Sequence, residues 1–143
     1  MFFLPQKHTA VYSATDPEGS LKDASKGKVV IVAGAGRGIG KAMAHTFAAT
    51  GVRGLVLISR TKAQLEQTGS EIRTAYPECV VRAFALNISQ PDAVREVFEQ
   101  SASTFGQADV LLANAGTAGI VFACITSVTR CVFSVKHGRS SDQ

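Results

Sequence analysis

Val29-Val30-Ile31-Val32-Ala33-Gly34-Ala35-Gly36-Arg37-Gly38-Ile39-Gly40 runs from an apolar, β-branched stretch straight into glycine. Five consecutive apolar residues without polar alternation fit a parallel strand buried on both faces. The glycines then allow what side chains would block: tight turning at Gly34, close approach of backbone to a phosphate near Gly38, and close helix-on-strand packing at Gly40. Beyond Gly40, Met43, Phe47 and Ala48 fall at helical spacing, and Gly51 stands where the helix should end. A strand feeding a glycine turn and then a helix aims the helix's free N–H groups and positive dipole end at the turn. That setting suits a pyrophosphate.

Spacing separates this loop from two other glycine loops. The pattern G-x-G-x-x-G fails, because from Gly34 it ends on Ile39 and from Gly36 on Lys41. A Walker A loop fails as well: Gly40-Lys41 would need glycine where Ala35 stands and Ser or Thr where Ala42 stands. A P-loop nucleotide hydrolase is therefore disfavoured. What fits is G-x-x-x-G-x-G, with Gly34, Gly38 and Gly40.

Downstream, strand and helix signals alternate. Leu55-Val56-Leu57-Ile58 reads as a second strand. Thr61, three residues before Gln64, has capping-box form, and Leu65, Thr68, Ile72 and Ala75 share one helical face until Pro77. A third strand spans Val80 to Leu86. Ser89 and Asp92 bracket Pro91 at another helix start, and Val94, Val97, Phe98, Ser101 and Phe105 keep helical spacing up to Gly106. A fourth strand, Val110-Leu111-Leu112-Ala113, enters the turn Asn114-Ala115-Gly116. The order β-α-β-α-β-α-β with short connections predicts an α/β, doubly wound, Rossmann-like parallel sheet, strand order 3-2-1-4, cut off after the fourth strand.

In such a fold the ribose is read about 20 residues past the glycines, at the end of the second strand, where an acid binds a 2′-hydroxyl and an Arg accommodates a 2′-phosphate. Arg60 stands at that distance from Gly40. A cation just ahead of a helix N-terminus opposes the helix dipole, so its placement favours a neighbouring anion. Its guanidinium fork suits the 2′-phosphate of NADP, and Arg37 in the loop offers a second positive group beside it.

These residues resemble the short-chain dehydrogenase/reductase family. VVIVAGAGRGIG resembles its T-G-x-x-x-G-x-G motif with Ala33 in place of Thr, and FGQADVLLANAG resembles its strand-four N-N-A-G motif with Ala113 for the first Asn. Ser59-Arg60 matches the family's NADP-preferring pattern, and Asn87-Ile88 occupies the place of its adenine-side Asp and aliphatic residue. The resemblance implies a nicotinamide dinucleotide cofactor, NADP more than NAD. It would be held by Gly34, Gly36, Arg37, Gly38, Ile39 and Gly40 in the loop, by Ser59 and Arg60, by Asn87 and Ile88, and by Asn114, Ala115 and Gly116. The implied reaction is hydride transfer between nicotinamide and a carbonyl or alcohol. The family's catalytic Ser and Tyr-x-x-x-Lys have no counterpart here: Asp16 stands four residues after Tyr12, and Val80 four after Tyr76. No catalytic residue is assigned, and the chain by itself is expected to be inactive. The alternative is a non-catalytic, truncated or mis-spliced product that binds NADP weakly or pairs with an intact relative.

Length and charge divide the chain further. Its 143 residues, 45% hydrophobic and 18% charged, are too apolar for a disordered tail and match one domain by length. We read 1–28 as an N-terminal arm, 29–116 as the NADP-binding half-domain and 117–143 as a divergent apolar and basic tail. Two of the three cysteines, Cys124 and Cys131, lie in that tail. An odd count without framework spacing argues for a reducing compartment, and Met1 to Pro5 lacks a signal peptide's charged start and long apolar run, so a cytoplasmic protein is expected. The net charge of +4 comes without runs of Lys or Arg, which argues against nucleic acid. Residues 110–129 carry no charge, yet the polar and glycine positions within them argue against a membrane span. Cys124, Cys131 and His137 lack paired ligand spacing, so no metal is expected. An open outer edge on the fourth strand would invite self-association.

Overall fold

The computed structural model describes residues 12–116. After a single 3-10 turn at Ser13–Thr15 come β1 (Val29–Ala33), α1 (Gly38–Ala49), β2 (Gly54–Ser59), α2 (Lys62–Ala75), β3 (Val80–Ala85), α3 (Pro91–Phe105) and β4 (Val110–Ala113). The four strands form one parallel sheet in the order β3-β2-β1-β4. This is the Rossmann-like α/β arrangement expected from the alternating pattern. The tail, residues 117–143, lies outside the described residues, as do residues 1–11 of the arm.

Alternate residues of the buried strands feed opposite faces. Val30, Val32, Leu55 and Leu57 pack with Ala44 and Ala48 of α1 and Leu65 and Ile72 of α2. Val29, Ile31, Val56 and Ile58 pack with Val97 and Phe105 of α3. β1 is buried along its whole length, as a strand with neighbours on both edges and helices on both faces must be. Each fully buried Val, Leu or Ile there contributes about 2 kcal/mol of transfer free energy.

Several local expectations shift. The third strand ends at Ala85, and Leu86 instead donates its N–H to the Ser59 carbonyl at 2.9 Å just past the strand. In α1 the buried stripe is Gly40, Ala44 and Ala48, while Met43 and Phe47 are only half-buried, because small residues let the helix sit close to the sheet. Ala75 is exposed, since the face that Leu65, Thr68 and Ile72 bury has turned away by the end of α2. Thr61 is the N-cap of α2, but its side chain makes no capping bond, so the capping box with Gln64 does not form. Ser101 is buried at the heart of α3, its hydroxyl satisfied by the Val97 carbonyl at 2.6 Å.

At the amino ends of the strands, Asp109 locks β4 to β1. Its carboxylate accepts the Val29 N–H at 2.8 Å and lies 3.4 Å from the Lys28 ammonium, and its own N–H donates to the Val29 carbonyl. Residues 12–28 run along the outside, with the Ser25 N–H on the Thr50 carbonyl and Tyr76 Oη donating to Glu18.

Candidate functional site

In a parallel sheet every strand delivers its C-terminal residues to the same edge, and ligands bind there where the strand order reverses. The segments following β1, β2, β3 and β4 are the glycine loop, Ser59-Arg60, Asn87-Ile88 and Asn114 to Gly116, and the topology brings all four to that edge.

The loop is built by contacts too close for side chains. Gly34 turns with φ +82°, and its N–H and that of Ala35 both donate to the Ile58 carbonyl, at 2.7 and 3.1 Å. A Cβ on Gly40 would stand 2.2 Å from the Gly34 oxygen and 2.6 Å from Asn114 Nδ2, so α1 begins pressed against both the loop and the turn after β4. A Cβ on Gly34 would lie 3.0 Å from Ala115 Cα. The Asn114 side chain therefore packs beneath the loop. A Cβ on Gly36 would meet Ser59 Oγ at 2.9 Å, which brings the end of β2 against the loop as well. Gly116 is exposed at the far end of this turn.

The start of α1 is unneutralised. Arg37 is its N-cap in extended conformation, with no side-chain cap bond, and the first turn holds no acid. The first N–H groups of a helix have no partner within it, so they and the dipole face whatever approaches the loop. Arg37 and Gly38 are exposed, and Ile39 is 69% exposed, an unusual outlay of apolar surface for a helix's first turn.

Arg60 is exposed just beyond β2 and forms no ion pair among the described residues. It lines an open cavity of about 590 Å³ together with Asn87, but that cavity runs toward Val97 and Gln100 on α3, and the glycine loop does not border it. Asn87 is exposed, with its Oδ1 accepting the Ser89 N–H at 3.1 Å, which leaves its NH₂ group outward as donor. Ile88 is half-buried and packs against the cluster under α3. Two of the positions that depart from the family motifs lie side by side, since Ala33 and Ala113 are register partners in the β1–β4 pair. Neither can hydrogen-bond through its side chain, so the loop is tied by the Ile58 carbonyl and the packing of Asn114.

Sequence reasoning missed a polar cluster that clamps α1 to α2. Glu71 accepts from Lys41 Nζ at 2.8 Å and Gln67 Nε2 at 3.0 Å, and lies 3.1 Å from His45 Nε2. The hydrogen bond from Lys41, then that from Gln67, holds the Glu71 carboxyl below its ordinary range. The one signal was that Lys41 and His45 stand four apart on one helix face. At Cys79, burial pushes the thiol up to about 11, as expected of an inert core cysteine. No group of three His, Cys, Asp or Glu side chains comes together among the described residues, and none of their helices is long and apolar enough to cross a membrane.

The sequence profile of the family described as short chain dehydrogenase matches residues 28–131, past the Gly116 boundary drawn from the motifs. The 3-oxoacyl-[acyl-carrier-protein] reductase FabG of Escherichia coli strain K12 is 34% identical over 91 residues, 64% of this chain and 35% of that protein. Among solved structures, L-sorbose reductase from Gluconobacter frateurii, complexed with NADPH and L-sorbose, superimposes with a TM-score of 0.61 at 32% identity, over 71% of this chain and 39% of that one. A metagenomic short-chain oxidoreductase in complex with NADP gives a TM-score of 0.59 at 34% identity, over 64% and 40%. The chain belongs to the short-chain dehydrogenase/reductase family, whose members are oxidoreductases that bind a nicotinamide cofactor. It spans about a third of the length of the curated relatives it matches.

Proposed function

We propose that residues 29–116 bind NADP in preference to NAD, as the cofactor-binding front of a reductase of this family. The observation that carries the reading is Arg60: an exposed guanidinium with no carboxylate partner among the described residues, at the end of β2, one residue from the Ser59 hydroxyl that abuts the loop. A carboxylate at this place would bond a 2′-hydroxyl and repel a 2′-phosphate, whereas Arg60 attracts the phosphate with two parallel donors. The uncapped, acid-free start of α1 fits a pyrophosphate, held by the N–H groups from Gly38 onward with Arg37 beside them. Asn87 would donate to the adenine, Ile88 would support it from below, and Asn114, Ala115 and Gly116 would close the opposite wall. When bound, the nicotinamide supplies hydride exchange with a carbonyl or alcohol.

Tyr76 is not suited to the accompanying proton transfer. Tyr76 caps the end of α2 and donates to Glu18, and burial, then that hydrogen bond, raises its phenol above the ordinary range, the opposite of what an acid–base tyrosine requires. A second reading, a non-catalytic chain that binds NADP or associates with a relative, is favoured by the outer edge of β4, which has no partner strand among the described residues.

Titration of the chain and of Arg60→Ala with NADPH tests the assignment. Binding should be saturable and weaken by about tenfold or more in the variant, as loss of a charge-assisted bidentate contact requires. Residues 1–143 alone should turn over no carbonyl substrate above background. NADPH affinity unchanged in Arg60→Ala refutes the 2′-phosphate role.

A further inference from the structure

The outer side of the sheet, along β3, carries a second feature beside the carboxyl edge. β3 is the outer strand, bonded to β2 alone among the described residues. The Val80 N–H donates to the Arg53 carbonyl and the Leu86 N–H to the Ser59 carbonyl, so Val80, Arg82, Phe84 and Leu86 turn their backbone groups toward β2. By the alternation of a parallel ladder, the N–H and C=O groups of Val81, Ala83 and Ala85 face outward along the free edge. A cleft of about 270 Å³ lies there, lined by Val81, Arg82 and Ala83 of the strand, Arg73 of α2 and Gln100 and Thr104 of α3. Arg73 and Arg82 make no ion pair among the described residues.

We propose that the outer edge of β3 is a strand-addition site for an extended, acidic peptide segment of another protein. The outward backbone groups at Val81, Ala83 and Ala85 would extend the sheet by one strand, and Arg73 and Arg82 select acidic side chains on it. Residues 1–11 contain no acid and residues 117–143 only Asp142, so neither of these segments carries the charge that Arg73 and Arg82 would select. A second copy is disfavoured too, because β3 carries Arg82 and no acidic residue, so two such edges side by side would line up basic side chains with no carboxylate of either strand to meet them.

The test uses the whole 143-residue chain, isotope-labelled, and the acetylated, amidated peptide Glu-Val-Glu-Val-Glu-Val. Two control peptides accompany it: the same sequence with Lys for Glu, and the acidic peptide N-methylated at alternate residues. The proposal expects slowed amide exchange confined to Val81, Ala83 and Ala85 on adding the acidic peptide, with the Lys peptide and the N-methylated peptide each about tenfold weaker or more. The double variant Arg73→Glu, Arg82→Glu reverses the charge preference and leaves NADPH binding unchanged, because neither residue lies at the cofactor edge. Equal binding of the N-methylated peptide, equal binding of the Lys peptide, or unslowed exchange at those amides overturns the proposal. So does edge protection that arises from dimerisation without peptide.

Discussion

Gly40 makes the closest contact of any described glycine, because the start of α1, the Gly34 carbonyl and the Asn114 side chain converge on the space a Cβ would fill. Two of those neighbours cannot step aside freely, since one is backbone and the other is wedged beneath the loop. Gly40→Ala should therefore cost about 2 kcal/mol, as overpacking does. Gly38, with open space around it but φ +57°, should lose only about 1 kcal/mol as alanine. Urea midpoints of the two variants check this, and equal losses would mean that the loop is looser than drawn. Asp109 makes a second prediction at this scale. The Val29 N–H, more than Lys28, holds its carboxyl below the ordinary value of 3.8. A depressed value means that the folded protein binds this proton less readily than the unfolded chain, so the stabilisation is complete above 3.8 and is lost as pH falls through the lower folded value. Asp109→Asn should flatten that acid limb when urea midpoints are compared at neutral pH and below 3.8, leaving the share due to Glu71. An unchanged limb would place the acid sensitivity elsewhere. The roles of Gly34 and Gly40 were legible in the sequence because a strand–glycine–helix order leaves few alternatives. The Ser59–Gly36 contact and the Asp109–Val29 bond were not, for they join residues far apart in the chain, and nothing local marks them.

At the scale of elements, α3 is pinned to the sheet by its last residue. The Phe105 ring fills the space where Gly54 lacks a side chain, a Cβ there meeting the ring at 2.6 Å, and Arg53 Nη2 caps the Phe105 carbonyl at 2.7 Å. Phe105→Ala removes the main apolar anchor between the end of α3 and the start of β2 and should cost about 3 kcal/mol. A thermal melt reads it, and a loss comparable to that of an exposed residue would show that α3 is held elsewhere along its length. Strands β1 and β4 have the bounds read from the sequence, because short apolar runs ended by glycine or by Asn-Ala-Gly admit no other register. The capping box at Thr61 fails for a tertiary reason: Gln64 packs against the loop, with its Oε1 3.1 Å from where a Gly36 Cβ would be. A sequence pattern for a cap reports only local competition, and here a contact from another element won. The α1 stripe misled in the same way, since periodicity marks apolar positions but the distance between helix and sheet chose the alanines.

On the whole-molecule scale the sheet is served unequally. β1 and β2 are sealed on both faces, while the residues of β4 are half-buried or exposed, and its outer edge has no partner strand among the described residues. Unpaired strand edges beside apolar surface recruit other chains. Sedimentation of the 143-residue chain should show concentration-dependent association, and a monomer with a cooperative melt and protected β4 amides would contradict it. The fold class could be read from one strand–loop–helix unit repeated in pattern. What the chain does to a substrate could not, because the motifs legible in it, from Gly34 to Gly116, all lie at the carboxyl edge of the sheet. The central claim, that Arg60 makes this edge of the sheet a reader of the 2′-phosphate, is tested most directly by titrating the chain with NADPH and NADH side by side, repeated in Arg60→Ala. NADPH should bind the wild-type chain more tightly than NADH, and the preference should be lost in the variant. Equal affinity of the wild-type chain for the two, or a preference that survives in Arg60→Ala, would contradict that claim.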